Sequence, residues 1–362
     1  MKTALLHYWL TNMRGGENVL AEFCKLYPDA DIYTHACNPA KMPETITAHP
    51  IRESFIARLP GARNGCQKYL PLMPRALQGW NFDDYDLILS SESGPVKGIR
   101  KPKRCRHVCY CHTPMRYLWD MYADYYRHSS LPAKLAMSLC KHYLRHYDLK
   151  SADSVDAFIA NSKFVAERIR RTYHRESTVI YPPVDTTFFA GGNYQKKEYY
   201  LFVGQLIAYK QPQLALAACR KLKRPLVVVG DGELRSALSA EFGDTAQFAG
   251  RAADEQLRRL YAEARALIFP GVEDFGIVPL EAQAAGTPVI ALGRGGALET
   301  VIAGRTGLFF AEPTVESLIG ALLEFETATF NQAELQQNAK RFNAERFRQE
   351  IRQFIDQLQP AK

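Results

Sequence analysis

The sequence predicts an α/β chain of two doubly wound domains, and three observations predict it. At 362 residues the chain is longer than one hydrophobic core usually serves, so two domains of ordinary size are expected. Short Val/Ile/Leu runs alternate with amphipathic stretches, the pattern of a parallel sheet covered by helices on both faces. In "YPPVDTTFFAGGNYQKKE" (181–198) paired prolines and a Gly-Gly-Asn turn interrupt every periodicity, as a join would. The expected divisions are a domain over 1–185, a second over 198–340, and a helix over 341–362 that packs back on the first.

Taken in order, "TALLHYWL" reads as a buried strand, followed by a Gly-Gly turn and the helical "ENVLAEFCKLY". "DADIYTHA", "YDLILSSES", "RHVCYCH" and "DAFIANS" are the further strands of the first half. The second half is cleaner: "YLFVGQL" leads to "QPQLALAACRKLK", "RPLVVVGDGE" to "LRSALSAEF", "TAQFAGR" to "DEQLRRLYAEA", "RALIFPGVEDFG" to "IVPLEAQAAG", and "TPVIALGRGG" to "ALETVIAGR". At the end, Phe347, Ile351, Phe354, Ile355 and Leu358 recur every three or four residues, as one helix face requires.

The net charge of +8 is unevenly placed: residues 1–190 hold 26 Lys+Arg against 18 Asp+Glu, and the remainder 20 against 20. The densest run, "GIRKPKRCRH" (98–107), carries Arg100, Lys101, Lys103, Arg104, Arg106 and His107 with no acid. It reads either as a solvated face or as a contact for an anionic partner such as phospholipid or a lipid diphosphate. Eight cysteines without a C-x-x-C pair or a secretory signal point to reduced thiols. The nearest approach to a metal cluster is Cys105, Cys109, Cys111 and His112, but strand alternation puts Cys109 and Cys111 on one face, which favours packing over zinc. No stretch approaches the ~20 apolar residues that span a bilayer, so a cytoplasmic protein, peripheral to the inner face of the cell membrane, is expected.

Ligands of open α/β sheets bind beyond the carboxyl ends of the strands, so with two such domains the cleft between them is the expected site. Four strand-end loops carry suitable chemistry. In "RGGEN" (14–18), Gly15 and Gly16 offer unobstructed N–H groups at a helix start, although a tight turn also explains the pair. His112 follows a strand in "CYCHTPMRYLWD", where a ligand contact competes with a core or capping role. Gly204 ends a strand and Gln205 follows it, while Lys210 opens the next helix, either solvated or placed to neutralise a diphosphate. In "GVEDFGIVPLE" (271–281), Glu273 lies in the loop, Pro279 suits the first helical turn, and Glu281 stands in that turn. A carboxylate at each position matches sugar or ribose hydroxyls. In "FAGRAADEQL" (248–257), Arg251 with Asp254 or Glu255 would approach a purine, guanine offering two N–H donors to a carboxylate; a helix N-cap is the other reading of Asp254.

E-x7-E with Phe-Gly after the first acid, behind "VGQL…K" and ahead of "AAGTPVIA", resembles the nucleotide-sugar site of family 4 retaining glycosyltransferases of the GT-B fold. "HYWL…RGGENVL", "CHTPMRYLWDM", "IANSKFVAERI" and "YPPVD" further resemble bacterial O-antigen and capsule mannosyltransferases. The resemblance implies GDP-mannose as donor and a polyprenyl-diphosphate-linked or other saccharide acceptor, with no metal or cofactor. It also implies that Gly15 and Gly16 meet the donor diphosphate, His112 contacts the transferring sugar and Lys210 steadies the leaving diphosphate. Glu273 and the Phe275-Gly276-Ile277 backbone would hold sugar and phosphate, and Glu281 ribose. Many relatives carry Arg where this chain has Gln205, so Lys210 acts largely alone or with Arg294 or Arg14. A dinucleotide oxidoreductase would need G-x-G-x-x-G, which "RGGENVL" lacks. A GT-B epimerase, a phosphorylase, a UDP-sugar transferase and a basic nucleic-acid binder are the rival readings; the last leaves E-x7-E without a purpose, and no nucleic-acid partner is expected.

Overall fold

A computed structural model of the chain describes residues 1–192 and 194–358, apart from the side chains of Asp124 and His128. The chain divides into two compact units. One comprises Met1–Pro182 with the terminal helix from Phe347 on, and the other Pro183–Arg346.

The first unit holds a parallel seven-stranded sheet in the order β3-β2-β1-β4-β5-β6-β7. Its strands are β1 (Thr3–His7), β2 (Asp31–Thr34), β3 (Ile51–Glu53), β4 (Leu87–Glu92), β5 (Arg106–Cys111), β6 (Ala157–Ala160) and β7 (Ser177–Val179). Both faces are covered, so successive residues of β1 enter different cores: Leu5 packs with Val19, Leu20 and Phe23 of the helix Gly15–Leu26, and Ala4 and Leu6 pack with Phe82 and Tyr85. The helix Ala344–Gln357 sends Phe347, Ile351 and Ile355 into the Leu5 core, with Phe347 stacked on Phe23 at 5.7 Å and Arg348 paired with Glu22.

The second unit is a parallel six-stranded sheet in the order β10-β9-β8-β11-β12-β13. Here the strands are β8 (Tyr200–Val203), β9 (Leu226–Val229), β10 (Ala246–Gly250), β11 (Leu267–Phe269), β12 (Val289–Leu292) and β13 (Gly307–Phe310). Tyr200 and Phe202 face one core and Leu201 the other. In each sheet the strand order reverses beside the first strand, between β1 and β4 and between β8 and β11. Chains leaving those strand ends diverge and open a crevice there.

Three strands, β3, β7 and β13, exceed those read from the sequence. All three are sheet edges of three or four residues; β3 and β7 are only half-buried and lack the continuous apolar run of a strand covered on both sides, whereas β13, GLFF, is apolar throughout but only four residues long. Cys109 and Cys111 pack together with Phe158 and Val165, while Cys105 lies in a neighbouring cluster with Ala4 and Leu6. Among the described residues no group of three or more His, Cys, Asp or Glu side chains is placed to hold a metal ion. No described helix is long and apolar enough to cross a membrane.

The basic run 98–107 is in part committed to the fold. Lys101 pairs with Asp156 (2.9 Å) and donates to the Cys105 carbonyl, and Arg104 pairs with Asp86 (3.2 Å). His107 is buried between Ser90 Oγ (2.8 Å) and the Ser154 carbonyl (3.2 Å), and burial pushes its pKa down to about 3. Arg100, Lys103 and Arg104 stay exposed. The segment 67–80, apolar in sequence, is mostly built into the fold. Met73, Ala76 and Leu77 are core residues, and only Leu72 among its large apolar side chains stands clearly exposed.

Candidate functional site

Each reversal point gathers a constellation of polar side chains. In the first unit, His7 ends β1, Ser91 stands one residue from the end of β4, and His112 follows β5, so three neighbouring strands deliver them side by side. Ser91 Oγ bridges His7 Nδ1 (3.2 Å) and His112 Nε2 (2.8 Å). Glu17 Oε1 closes the chain 3.6 Å from His7 Nε2. A hydroxyl has one proton and two lone pairs, so Ser91 donates to one imidazole or to the Gly16 carbonyl (3.5 Å) and accepts from what remains. With the His7 Nε2 proton turned toward the Glu17 carboxylate, Ser91 donates to His7 and accepts from His112 Nε2–H. His112 Nδ1 is then left as a lone pair.

Burial, with His7 nearby, pushes the His112 pKa down to about 3, so near neutral pH this ring is a hydrogen-bonding group and not a cation. Gly15 and Gly16 are the first two residues of their helix, where N–H groups lack intrahelical partners. A Cβ at Gly16 would lie 3.0 Å from Tyr8 Oη, 3.3 Å from His7 Cε1 and 3.4 Å from His112 Nε2. The absence of a side chain there leaves room for the His7–Ser91–His112 chain.

In the second unit, Lys210 comes from the loop after β8 and Glu273 from the loop after β11, the strands that flank the reversal. They form an ion pair, with side chains 18% and 15% exposed. Gly271 permits it: a Cβ there would lie 2.9 Å from Lys210 Cα and from the Tyr209 carbonyl. Gly295 and Gly296, after β12, let a third loop lie on the Glu273 loop, where a Cβ at Gly296 would stand 2.2 Å from the Phe275 carbonyl and one at Gly295 2.6 Å from that of Glu273. Gly276, at φ 98°, adopts the left-handed conformation and caps the helix Ile277–Ala284, whose first residue is Ile277. The Phe275 side chain is buried against Phe342, so this loop offers a ligand its backbone.

Glu281 stands in the second turn of that helix, one turn later than the sequence suggested. Burial pushes its carboxyl up to about 7; the Tyr261 hydroxyl, donating at 2.8 Å, works against the rise and nearby Asp254 adds to it. Because the folded-state value exceeds that of an unfolded carboxyl, stability is gained as pH falls from about 7 toward 4.5 and lost as it rises through that window. Glu281→Gln is therefore expected to raise the unfolding temperature of the free protein at pH 8 by about 2–4 °C and to change it little at pH 5. Thermal scans at the two pH values check this; an equal shift at both would show that Glu281 does not titrate there.

The other sequence candidates fall as follows. Gln205 is exposed. A Cβ at Gly204 would meet Phe202 and Lys210 only at 3.7–3.9 Å, so close packing does not require glycine there. The helix Asp254–Glu263 has Ala253, not Asp254, at its N-cap, which removes the capping reading; Arg251, Asp254 and Glu255 are exposed. Arg294 is held by Glu312 (2.8 Å), and Arg14 is exposed at the start of the Gly15–Leu26 helix. Sequence reasoning missed His7, Ser91, Tyr261 and the Gly295–Gly296 pair. Its own strand-end rule, applied to "LLHYW" and "LILSSE", would have found the first two.

Two adjoining family models match the chain: "Glycosyltransferase Family 4" over residues 13–188 and "Glycosyl transferases group 1" over 184–342. The chain belongs to the family 4 glycosyltransferases. D-inositol 3-phosphate glycosyltransferase of Rhodococcus erythropolis is 31% identical over 53% of this chain and 50% of its own length. Alpha-1,3/1,6-mannosyltransferase ALG2 of Dictyostelium discoideum is 35% identical over 29% of this chain and 26% of its own length. The chain thus spans half or less of the length of these curated relatives. Among solved structures, Anabaena HepE in complex with UDP-glucose superposes with TM-score 0.71 at 18% identity, covering 99% of this chain and all of that one. Sucrose-phosphate synthase from Thermosynechococcus elongatus gives 0.68 at 17% identity, with 99% of each chain covered. These two likenesses establish the GT-B fold.

Proposed function

We propose that this family 4 member is a retaining glycosyltransferase that moves mannose from GDP-mannose onto a lipid-linked saccharide acceptor for cell-surface polysaccharide, working at the inner membrane face. The observation that carries the transferase reading is the Lys210–Glu273 pair at the reversal point of the second sheet, with Glu281 in the helix that follows. A strand-end cation beside a carboxylate suits a sugar diphosphate: the ammonium meets the phosphates and the carboxylate a sugar hydroxyl. Glu281, already an acceptor for Tyr261, would take ribose, and the lone pair or N–H of His112 the transferring sugar. Gly15 and Gly16 would lend N–H groups to the diphosphate.

The reaction needs no protein nucleophile in this reading. The acceptor hydroxyl attacks the anomeric carbon on the face the diphosphate leaves, the bond to phosphate breaks, and the departing phosphate oxygen takes the hydroxyl proton. The protein contributes orientation and electrostatic stabilisation of the leaving group. Mannose is supported by the motif resemblance and by the mannosyltransferase ALG2 among the relatives. A UDP-sugar is the second reading, favoured by the UDP-glucose held in HepE.

The two separate by thermal unfolding with GDP, UDP and ADP. GDP at ~100 times its dissociation constant should add about 2.7 kcal/mol to stability and exceed the others. Stabilisation by UDP alone would replace mannose with a UDP-linked sugar. Product analysis with and without acceptor distinguishes transfer from epimerisation or phosphorolysis.

A further inference from the structure

The helix Leu131–Ser151 of the first unit has a face that nothing in its own fold covers. Leu131, Leu135 and Leu139, four residues apart and so stacked along one side, are 82%, 64% and 73% exposed, and Tyr143, one step further, is 50% exposed. On the inner side only Leu144, Asp148 and Ser151 are buried, all in the last two turns. Leucine is seldom left so far out three times in a row, and contiguous exposed apolar surface marks an interaction site.

The charges around the stripe say what covers it. From Leu131 to Tyr147 the sequence contains no acid, while Lys134, Lys141 and Arg145 lie along one flank of the stripe. Lys134 and Lys141 stand over the Tyr126 and Tyr122 rings at 5.7 and 4.2 Å, and Arg145 over Trp119 at 4.9 Å, so the bases line up beside a row of aromatic side chains. Apolar residues on one face, bases beside them and aromatic rings at the border are the makeup of a helix that lies in a bilayer interface. A second copy of this chain would present the same bases to these, like charge against like.

We infer that the Leu131–Leu135–Leu139 face of this helix docks on an anionic lipid bilayer, with Lys134, Lys141 and Arg145 meeting the headgroups. This deepens the membrane part of the proposed function, and it moves the contact away from the basic run 98–107, whose Lys101 and Arg104 are engaged within the fold. The leucines would enter the headgroup and acyl boundary, and the anchored C-terminal turns would keep the unit beside the surface.

The test is co-sedimentation of the full chain with phosphatidylglycerol/phosphatidylcholine vesicles and with pure phosphatidylcholine vesicles over a salt series. The chain should pellet with the anionic vesicles and lose binding as salt rises. The triple variant Leu131→Gln, Leu135→Gln, Leu139→Gln should bind at least tenfold more weakly, and so should Lys134→Glu with Lys141→Glu, which leaves the apolar face intact. Arg100→Ser with Lys103→Ser should stay within twofold of the parent. Full binding by the leucine variant overturns the inference, as does equal pelleting with neutral lipid. So does a dimer, seen by light scattering, that the leucine variant abolishes while no form of the chain pellets. Nucleotide-induced stabilisation is read on the same proteins, so a failure of the donor reading stays distinct from a failure of docking.

Discussion

Glu273→Ala and Lys210→Ala are each expected to lower kcat by roughly 100-fold or more, the scale on which a preorganised polar contact to a transition state acts. The ion pair explains why both should matter and why their effects should not multiply. Each side chain holds the other in the crevice, so truncating one leaves the second misplaced as well as alone. The double variant is therefore expected to be scarcely slower than the worse single one. Steady-state rates with the preferred donor measure this, and unfolding scans confirm that the fold survives, because both residues lie in loops outside the two cores of their unit. Turnover within threefold of the parent in either variant would remove that residue from the mechanism.

The sequence carried the second unit more clearly than the first, for a physical reason. Strands covered on both faces must be apolar throughout, so β8, β9 and β12 announce themselves, whereas the edge strand β3 needs only Ile51 and its ladder bonds. The acids of the E-x7-E block and Lys210 were legible because charged residues at strand ends have no core to serve. Their direct pairing was not, since it depends on the close approach that Gly271 allows between loops some sixty residues apart in sequence. The Glu17–His7–Ser91–His112 chain was hidden too. Its members are far apart in sequence, and each reads as an isolated core or capping group until adjacent strands bring His7, Ser91 and His112 together beside the helix that carries Glu17. The run 98–107 is conspicuous in sequence, whereas the leucines of the Leu131–Ser151 helix read there as an ordinary core-facing stripe and show as uncovered only in the fold.

The largest stability effect is expected at Lys97, a residue with no part in the proposed chemistry. Its ammonium is 1% exposed and lies between Glu92 (2.7 Å) and Asp148 (2.5 Å), and Asp148 also accepts from Trp119 Nε1 (2.7 Å) and the Tyr173 hydroxyl (3.0 Å). Burial works against the charge on Lys97, but Asp148 and Glu92 outweigh it and hold the ammonium well above the usual lysine range; burial also pushes the Glu92 carboxyl up to about 7. Lys97→Met keeps most of the volume and leaves two buried carboxylates facing each other with no cation. Breaking such a buried pair costs about 3–5 kcal/mol. The sign of its pH dependence follows: with the cation gone the carboxylates hold protons more tightly when folded than when unfolded. The deficit should be largest at pH 8 and shrink as pH falls toward 5. Urea unfolding of parent and variant at the two pH values measures it, and a deficit below 1 kcal/mol at pH 8 would show that solvent already reaches this cluster. Replacing all three charges together, as Glu92→Gln, Lys97→Met and Asp148→Asn, should recover most of the loss, because no uncompensated charge then remains buried. Asp148 is also one of the few inner residues of the Leu131–Ser151 helix, so Lys97→Met should loosen that helix first and weaken vesicle binding at temperatures where the rest of the unit is still folded.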